Sequence, residues 1–135
     1  MTTDRPRFTL DDMFKVKLAG DPQISPDGRA VAFTYGPLTK EKDHPRQSAI
    51  WLADESGARQ FTASPSSDTA PRWSPDGRRL AFISDRVKEG KGQLYLLDLT
   101  GGEARQLTDT RGELRVPIWL PDGRLAVLMT EAVPE

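Results

Sequence analysis

The sequence predicts an all-β fold built of β-propeller blades, about two and a half of them, behind a short N-terminal helix. Three observations carry this. A turn-forming octapeptide recurs, as Pro22 to Arg29, Pro71 to Arg78 and Pro117 to Arg124, at spacings of 49 and 46 residues. A second landmark keeps the same period, Ile50-Trp51-Leu52-Ala53-Asp54 leading to Arg59-Gln60-Phe61-Thr62 and Leu94-Tyr95-Leu96-Leu97-Asp98 leading to Arg105-Gln106-Leu107-Thr108. Third, Pro and Gly number eleven each, which suits short strands joined by tight turns.

Ahead of the first repeat, Thr9-Leu10-Asp11-Asp12 has the form of a capping box, with Thr9 as N-cap and Asp12 three residues on. Leu10, Met13, Phe14 and Leu18 fall on one face at helical spacing, so a short helix ending by Gly20 is expected. Residues 1–20 are accordingly read as a leading segment and 21–135 as the first blades of a propeller.

Each repeat reads as four antiparallel strands. In the second they are expected near Arg72 to Ser74, Arg79 to Ser84, Gln93 to Leu99 and Glu103 to Thr108, with turns at Pro75-Asp76-Gly77 and Thr100-Gly101-Gly102. Proline sets φ near about −65° at the first corner, and glycine can take the left-handed conformation that closes the hairpin. Ala30 to Phe33, Leu80 to Ile83 and Leu125 to Leu128 are apolar on both faces, where a sheet with one side in water would alternate. Sheets of roughly 40 to 50 residues covered on both sides by their own neighbours are propeller blades. The third repeat stops after its second strand, near Met129. An arc this short leaves a blade face and a strand edge bare, so further polypeptide is expected to complete the ring. The loops Pro37 to Gln47, Ala63 to Ala70, Asp85 to Gly92 and Asp109 to Val116 share one rim, the side better suited to partner or substrate contact.

Composition narrows the function. Nineteen Lys and Arg face twenty Asp and Glu, which gives no net field for nucleic acid or an anionic membrane. No apolar run approaches the roughly 20 residues that cross a bilayer. Met1 to Leu10 lacks the apolar core of a secretory signal, so a cytoplasmic protein is expected. The chain has no cysteine and one histidine, His44, in the charged stretch Lys40 to Arg46, where it reads as an exposed loop residue. No serine stands in a G-x-S-x-G elbow. Asp27, Asp76 and Asp122 recur at equivalent positions between Pro and Gly, and turn capping explains them better than ion sites. Trp73 and Trp119 share a blade position and read as core. Gly101-Gly102 is a hairpin turn and no phosphate loop. The expectation is that no catalytic, metal or cofactor residue lies in this chain and that no cofactor is needed.

The repeat x-W-S-P-D-G-R-x-L-A-F-x-S, followed by L-Y-L-x-D, a Gly turn and R-Q-L-T, resembles the propeller repeat of TolB-like proteins and of prolyl-oligopeptidase-family serine peptidases. The start, Phe8 to Met13 and Gly20 to Gly28, is similar to the acylaminoacyl-peptidase-like branch, in which a short helix leads directly into the first blade. TolB-like proteins are periplasmic and usually carry a signal and a preceding domain. The peptidase resemblance implies a propeller of seven or eight blades capping an α/β-hydrolase domain whose Ser, Asp and His lie C-terminal to it. It implies, for the intact protein, release of an N-terminal acylated or free amino acid, or a dipeptide, from short peptides through an acyl-serine intermediate. Partners so implied are the rest of the same polypeptide and short peptide substrates, with room for a homo-oligomer. Residues near 9 to 18 would pack on the hydrolase domain, and this stretch alone would be inactive. Two other classes remain: a non-enzymatic TolB-like propeller that binds a protein partner, and a polysaccharide-active propeller enzyme, which the lack of carboxylates before the turns disfavours.

Overall fold

The structure, a computed structural model, describes residues 5–37, 47–63 and 65–131. It contains one helix, α1 (Leu10–Lys15), and ten strands: β1 (Lys17–Ile24), β2 (Val31–Pro37), β3 (Ala49–Asp54), β4 (Gly57–Gln60), β5 (Asp68–Trp73), β6 (Arg79–Ser84), β7 (Gln93–Asp98), β8 (Arg105–Gln106), β9 (Glu113–Trp119) and β10 (Leu125–Thr130). They form two four-stranded sheets, β1-β2-β3-β4 and β5-β6-β7-β8, and a two-stranded sheet of β9 and β10, all antiparallel. Two complete blades and half of a third are present, in the order the repeat predicts.

The capping box at Thr9 is formed: its hydroxyl accepts from the Asp12 amide at 3.3 Å, and the Thr9 amide donates to Asp12 Oδ2 at 2.8 Å. The helix is shorter than expected. It ends at Lys15, with Val16 extended at φ −71° and ψ 125°, and Leu18 lies in β1, where it is exposed. Pairing decides this: Lys17 to Gly20 form the ladder with Thr34 to Pro37, which no helix can do. The first sheet therefore begins at Lys17, inside the segment assigned above to the leading region.

The first strand of each blade is also longer than expected, since β5 starts at Asp68 and β9 at Glu113, shortening the loops assigned to 63–70 and 109–116. A proline is the reason. Pro22 and Pro71 fall where the register slips, between Gly20 and Gln23 and between Thr69 and Arg72, whereas Pro117 pairs with Val127 and the third slip lies just before it, between Leu114 and Pro117. Asp21 (φ 46°) and Ala70 (φ 53°) take left-handed conformations in the first two bulges. A β-bulge absorbs the residue that cannot donate, and pairing resumes beyond it.

The fourth strands are short because side chains finish them. Thr62 Oγ1 accepts from the Ile50 amide and Thr108 Oγ1 from the Leu94 amide, both at 2.9 Å, while Gln60 and Gln106 each donate to the carbonyl of that threonine. The Arg-Gln-x-Thr landmark is thus a hydrogen-bonding device.

Packing is blade on blade. Ala32, Ile50 and Leu52 of the first sheet meet Leu80, Phe82, Tyr95 and Leu97 of the second, with Trp73 against them. The other face of the second sheet, Ala81, Ile83, Leu94 and Leu96, meets Leu114, Trp119, Leu125 and Val127 of the third. Consequently every residue from Leu80 to Ser84 and from Gln93 to Leu97 is buried. In β10, apolar from Leu125 to Met129, the residues alternate between half-buried and exposed from Leu125 to Leu128, and Leu128 is 68% exposed. The same kind of strand is buried or bare according to the neighbours it has.

Candidate functional site

The repeated turns come first, because three aspartates recur there. Asp27 Oδ1 accepts from the Ser25 hydroxyl at 2.6 Å and from the Arg29 amide at 3.0 Å, while Ser25 Oγ accepts from the Ala30 amide at 3.0 Å. Ser74, Asp76, Arg78 and Arg79 reproduce this with the same distances. Hydrogen bonds to the ionised carboxylate, the serine hydroxyl's first, hold Asp27 and Asp76 below the usual aspartate range. In the third turn Leu120 replaces the serine, and Arg124 supplies both its amide, at 3.0 Å to Asp122 Oδ1, and its Nε, at 2.7 Å to Oδ2. The aspartates are turn caps, and among the described residues no group of three or more His, Cys, Asp or Glu is placed to hold a metal.

Both tryptophans are partly buried between blades, as expected of core residues, and each also makes a polar contact. Trp73 Nε1 donates to the Gln23 carbonyl at 2.9 Å and Trp119 Nε1 to the Arg72 carbonyl at 3.0 Å. His44 lies outside the described residues.

A polar cluster that the sequence reading missed lies between the first two blades. Asp68, fully buried, pairs through Oδ1 with Arg86 Nη2 at 3.2 Å, and its Oδ2 has no hydrogen-bond partner among the described residues. Arg86 Nε donates to Ser84 Oγ at 2.9 Å, and the guanidinium stands 4.6 Å from the Tyr95 ring centroid and 5.4 Å from that of Phe82. Burial pushes the Tyr95 hydroxyl above its ordinary value, and the nearby Arg86 charge opposes that. Asp68 opens β5 and does not lie in the rim loop expected over 63–70. The available signal was its being the only acidic residue between Ala63 and Ala70.

Two concave regions flank these elements. On the long-loop rim a cleft of about 250 Å³ lies between blades two and three, bordered by Ser67, Asp85, Lys91 and Glu113. Asp85 organises its wall, accepting from the Ser67 amide at 2.8 Å and the Gly90 amide at 3.0 Å. Along the innermost strands a groove of about 430 Å³ runs past Ile24, Arg72, Val116 and Ile118. Arg72 there pairs with Asp21 at 2.9 Å.

The pattern of the TolB beta propeller domain, PD40, matches residues 13–133. The chain belongs to the PD40 family. This PD40 domain is 42% identical over 100 residues to the uncharacterized peptidase YuxL of Bacillus subtilis, an alignment taking in 73% of the domain's chain and 15% of that protein. The chain therefore spans about one seventh of that relative. Among solved structures, TolB from Acinetobacter baumannii matches at a TM-score of 0.61 and 28% identity, over 78% of this chain and 25% of that one. The acylaminoacyl peptidase of Pyrococcus horikoshii matches at 0.64 and 21% identity, over 83% and 17%, a likeness of fold. No helix among the described residues is long and apolar enough to cross a membrane.

Proposed function

We propose that this PD40 domain opens the propeller of a serine peptidase of the prolyl-oligopeptidase family, acylaminoacyl-peptidase-like and cytoplasmic. The intact polypeptide would release N-terminal acylated or free amino acids, or dipeptides, from short peptides. Its Ser, Asp and His would lie on an α/β-hydrolase domain beyond this chain, and the blades would wall the chamber that admits short peptides and excludes folded proteins. The observation that carries the reading is the 42% identity to the Bacillus subtilis peptidase, which runs over 100 residues and so spans more than one repeat. The exposed Phe8 just ahead of α1 and Leu10 at its start support it as well, because they would be covered where the leading segment packs on a hydrolase domain.

The second reading is a non-enzymatic TolB-like propeller that binds a protein partner. It is favoured by the TolB description of the family and by the 28% identity to the Acinetobacter baumannii protein. Isolating the native polypeptide that contains this sequence, weighing it and treating it with a fluorophosphonate probe separates the two. A mass of about 65 to 75 kDa with covalent labelling is expected of a propeller plus hydrolase. An unlabelled species of about 35 kDa, the size of a propeller alone, would establish the binding module instead.

A further inference from the structure

The contact between successive blades is made the same way twice. Residues 23, 72 and 118 are equivalent, as are 24, 73 and 119, and each blade's strand pairing sets Val31, Leu80 and Leu125 opposite the second group. Alanine follows at the next position in all three, Ala32, Ala81 and Ala126. In the first blade the Gln23 carbonyl receives the Trp73 indole, and Trp73 packs against the buried cluster containing Ala32. In the second the Arg72 carbonyl receives the Trp119 indole, and Trp119 packs against the cluster containing Ala81. Ala32 and Ala81 are both completely buried. The small side chain leaves room for a bicyclic ring, and the carbonyl beside it gives the indole N–H its partner.

The third blade carries the same parts, and among the described residues no tryptophan stands over them. Ala126 is exposed, and Ile118 and Leu128, which share its face, are 62% and 68% exposed. We infer that Ala126, Leu128 and the Ile118 carbonyl form an indole socket, and that its occupant is a further PD40 repeat bearing tryptophan at the end of its first strand. The occupant is not a second copy of this chain. The outward face of blade one would have to supply it, and Ile24 stands there in place of tryptophan, 71% exposed and without an N–H to donate. This inference deepens the proposal that further blades follow, and it names how the next one is held.

The socket can be tested on this chain by giving blade one the missing group. Ile24→Trp lies at an exposed position and places a donor on the face that a second molecule would present. Sedimentation velocity is expected to show at least tenfold tighter self-association of Ile24→Trp than of the unaltered chain. The double variant Ile24→Trp with Ala126→Leu, which fills the floor of the socket at another exposed position, is expected to return to the unaltered behaviour. Ile24→Trp associating no more tightly than the unaltered chain would overturn the inference, as would a double variant that associates as tightly as Ile24→Trp. The readout is indifferent to peptidase activity, so it stands or falls apart from the labelling experiment above.

Discussion

The indole Nε1 of Trp73 lies 2.9 Å from the carbonyl oxygen of Gln23, joining the first strand of one blade to the first strand of the blade before it. Apolar faces dominate the contact between these two blades, and this bond, like the Asp21–Arg72 pair and the Ser48–Asp68 hydrogen bonds, adds a directional tie between them. Trp73→Phe keeps most of the ring and deletes the donor. It is expected to lower stability in urea denaturation by about 1 kcal/mol, the net worth of one such bond. Ile24→Phe, at the equivalent but unpartnered position, is expected to change stability by less than about 0.5 kcal/mol. Equal losses at the two sites would show that the bond contributes nothing.

Burial grades across the three sheets, and core substitutions should follow it. Phe82 is completely buried between blades one and two and stacks on Tyr95 with ring centroids 5.9 Å apart. Phe82→Ala is expected to cost about 3 to 5 kcal/mol, combining lost transfer energy with a cavity that close neighbours cannot fill. Leu128→Ala, on the bare face of blade three, is expected to cost under about 1 kcal/mol despite occupying the same kind of strand. Thermal denaturation of both variants checks the contrast.

Much of this was legible in the sequence, and the parts that were not share a cause. The repeat gave blade number, strand order and the turn-capping role of Asp27, Asp76 and Asp122, because a fixed period reports on contacts made identically in each unit. Leu18 shows where periodicity misleads: its spacing from Leu10 and Phe14 suits a helix, yet Lys17 to Gly20 pair with Thr34 to Pro37, and a non-local ladder outweighs a local pattern. Asp68 was missed for a related reason. It lies before Pro71, where a strand normally ends, and only the bulge at Ala70 lets the ladder continue past the proline to bury it. Its equivalents in the other blades, Ala19 and Leu114, are not acidic, so no repetition announced it.

That buried pair supplies a sharper test. Asp68 has no exposed surface and one carboxylate oxygen without a hydrogen-bond partner among the described residues, while Arg86 also covers two aromatic rings. Arg86→Met keeps the length of the side chain and removes the charge, leaving the carboxylate alone in the interior. A loss of about 3 to 5 kcal/mol is expected, as for other buried pairs broken on one side. Asp68→Asn combined with Arg86→Met should recover part of that loss, since the uncompensated charge goes with the partner. A double variant as unstable as the sum of the two single ones would mean that Arg86 acts through ring packing alone.

The turns make stability depend on acidity, with a sign that follows from the geometry. Asp27 and Asp76 are held below the ordinary value of 3.8, chiefly by the hydroxyls of Ser25 and Ser74. A carboxyl whose folded pKa lies under its unfolded one takes up its proton less readily when folded. Its contribution is therefore complete above pH 3.8 and disappears as the pH falls through the lower, folded value. Melting temperature is expected to be flat with respect to these groups near neutrality and to drop below pH 3.8. Ser25→Ala with Ser74→Ala removes the principal cause in both turns while leaving the aspartates in place, so the variant should be less stable at neutral pH and lose less on acidification. Blade three already lacks that serine, with Leu120 at the position, so a parallel Asp122→Asn substitution, which keeps an acceptor at Oδ1, serves as the control. Acid curves that run parallel for the serine variant and the unaltered protein would show that the depressed carboxyls play no part in holding the turns.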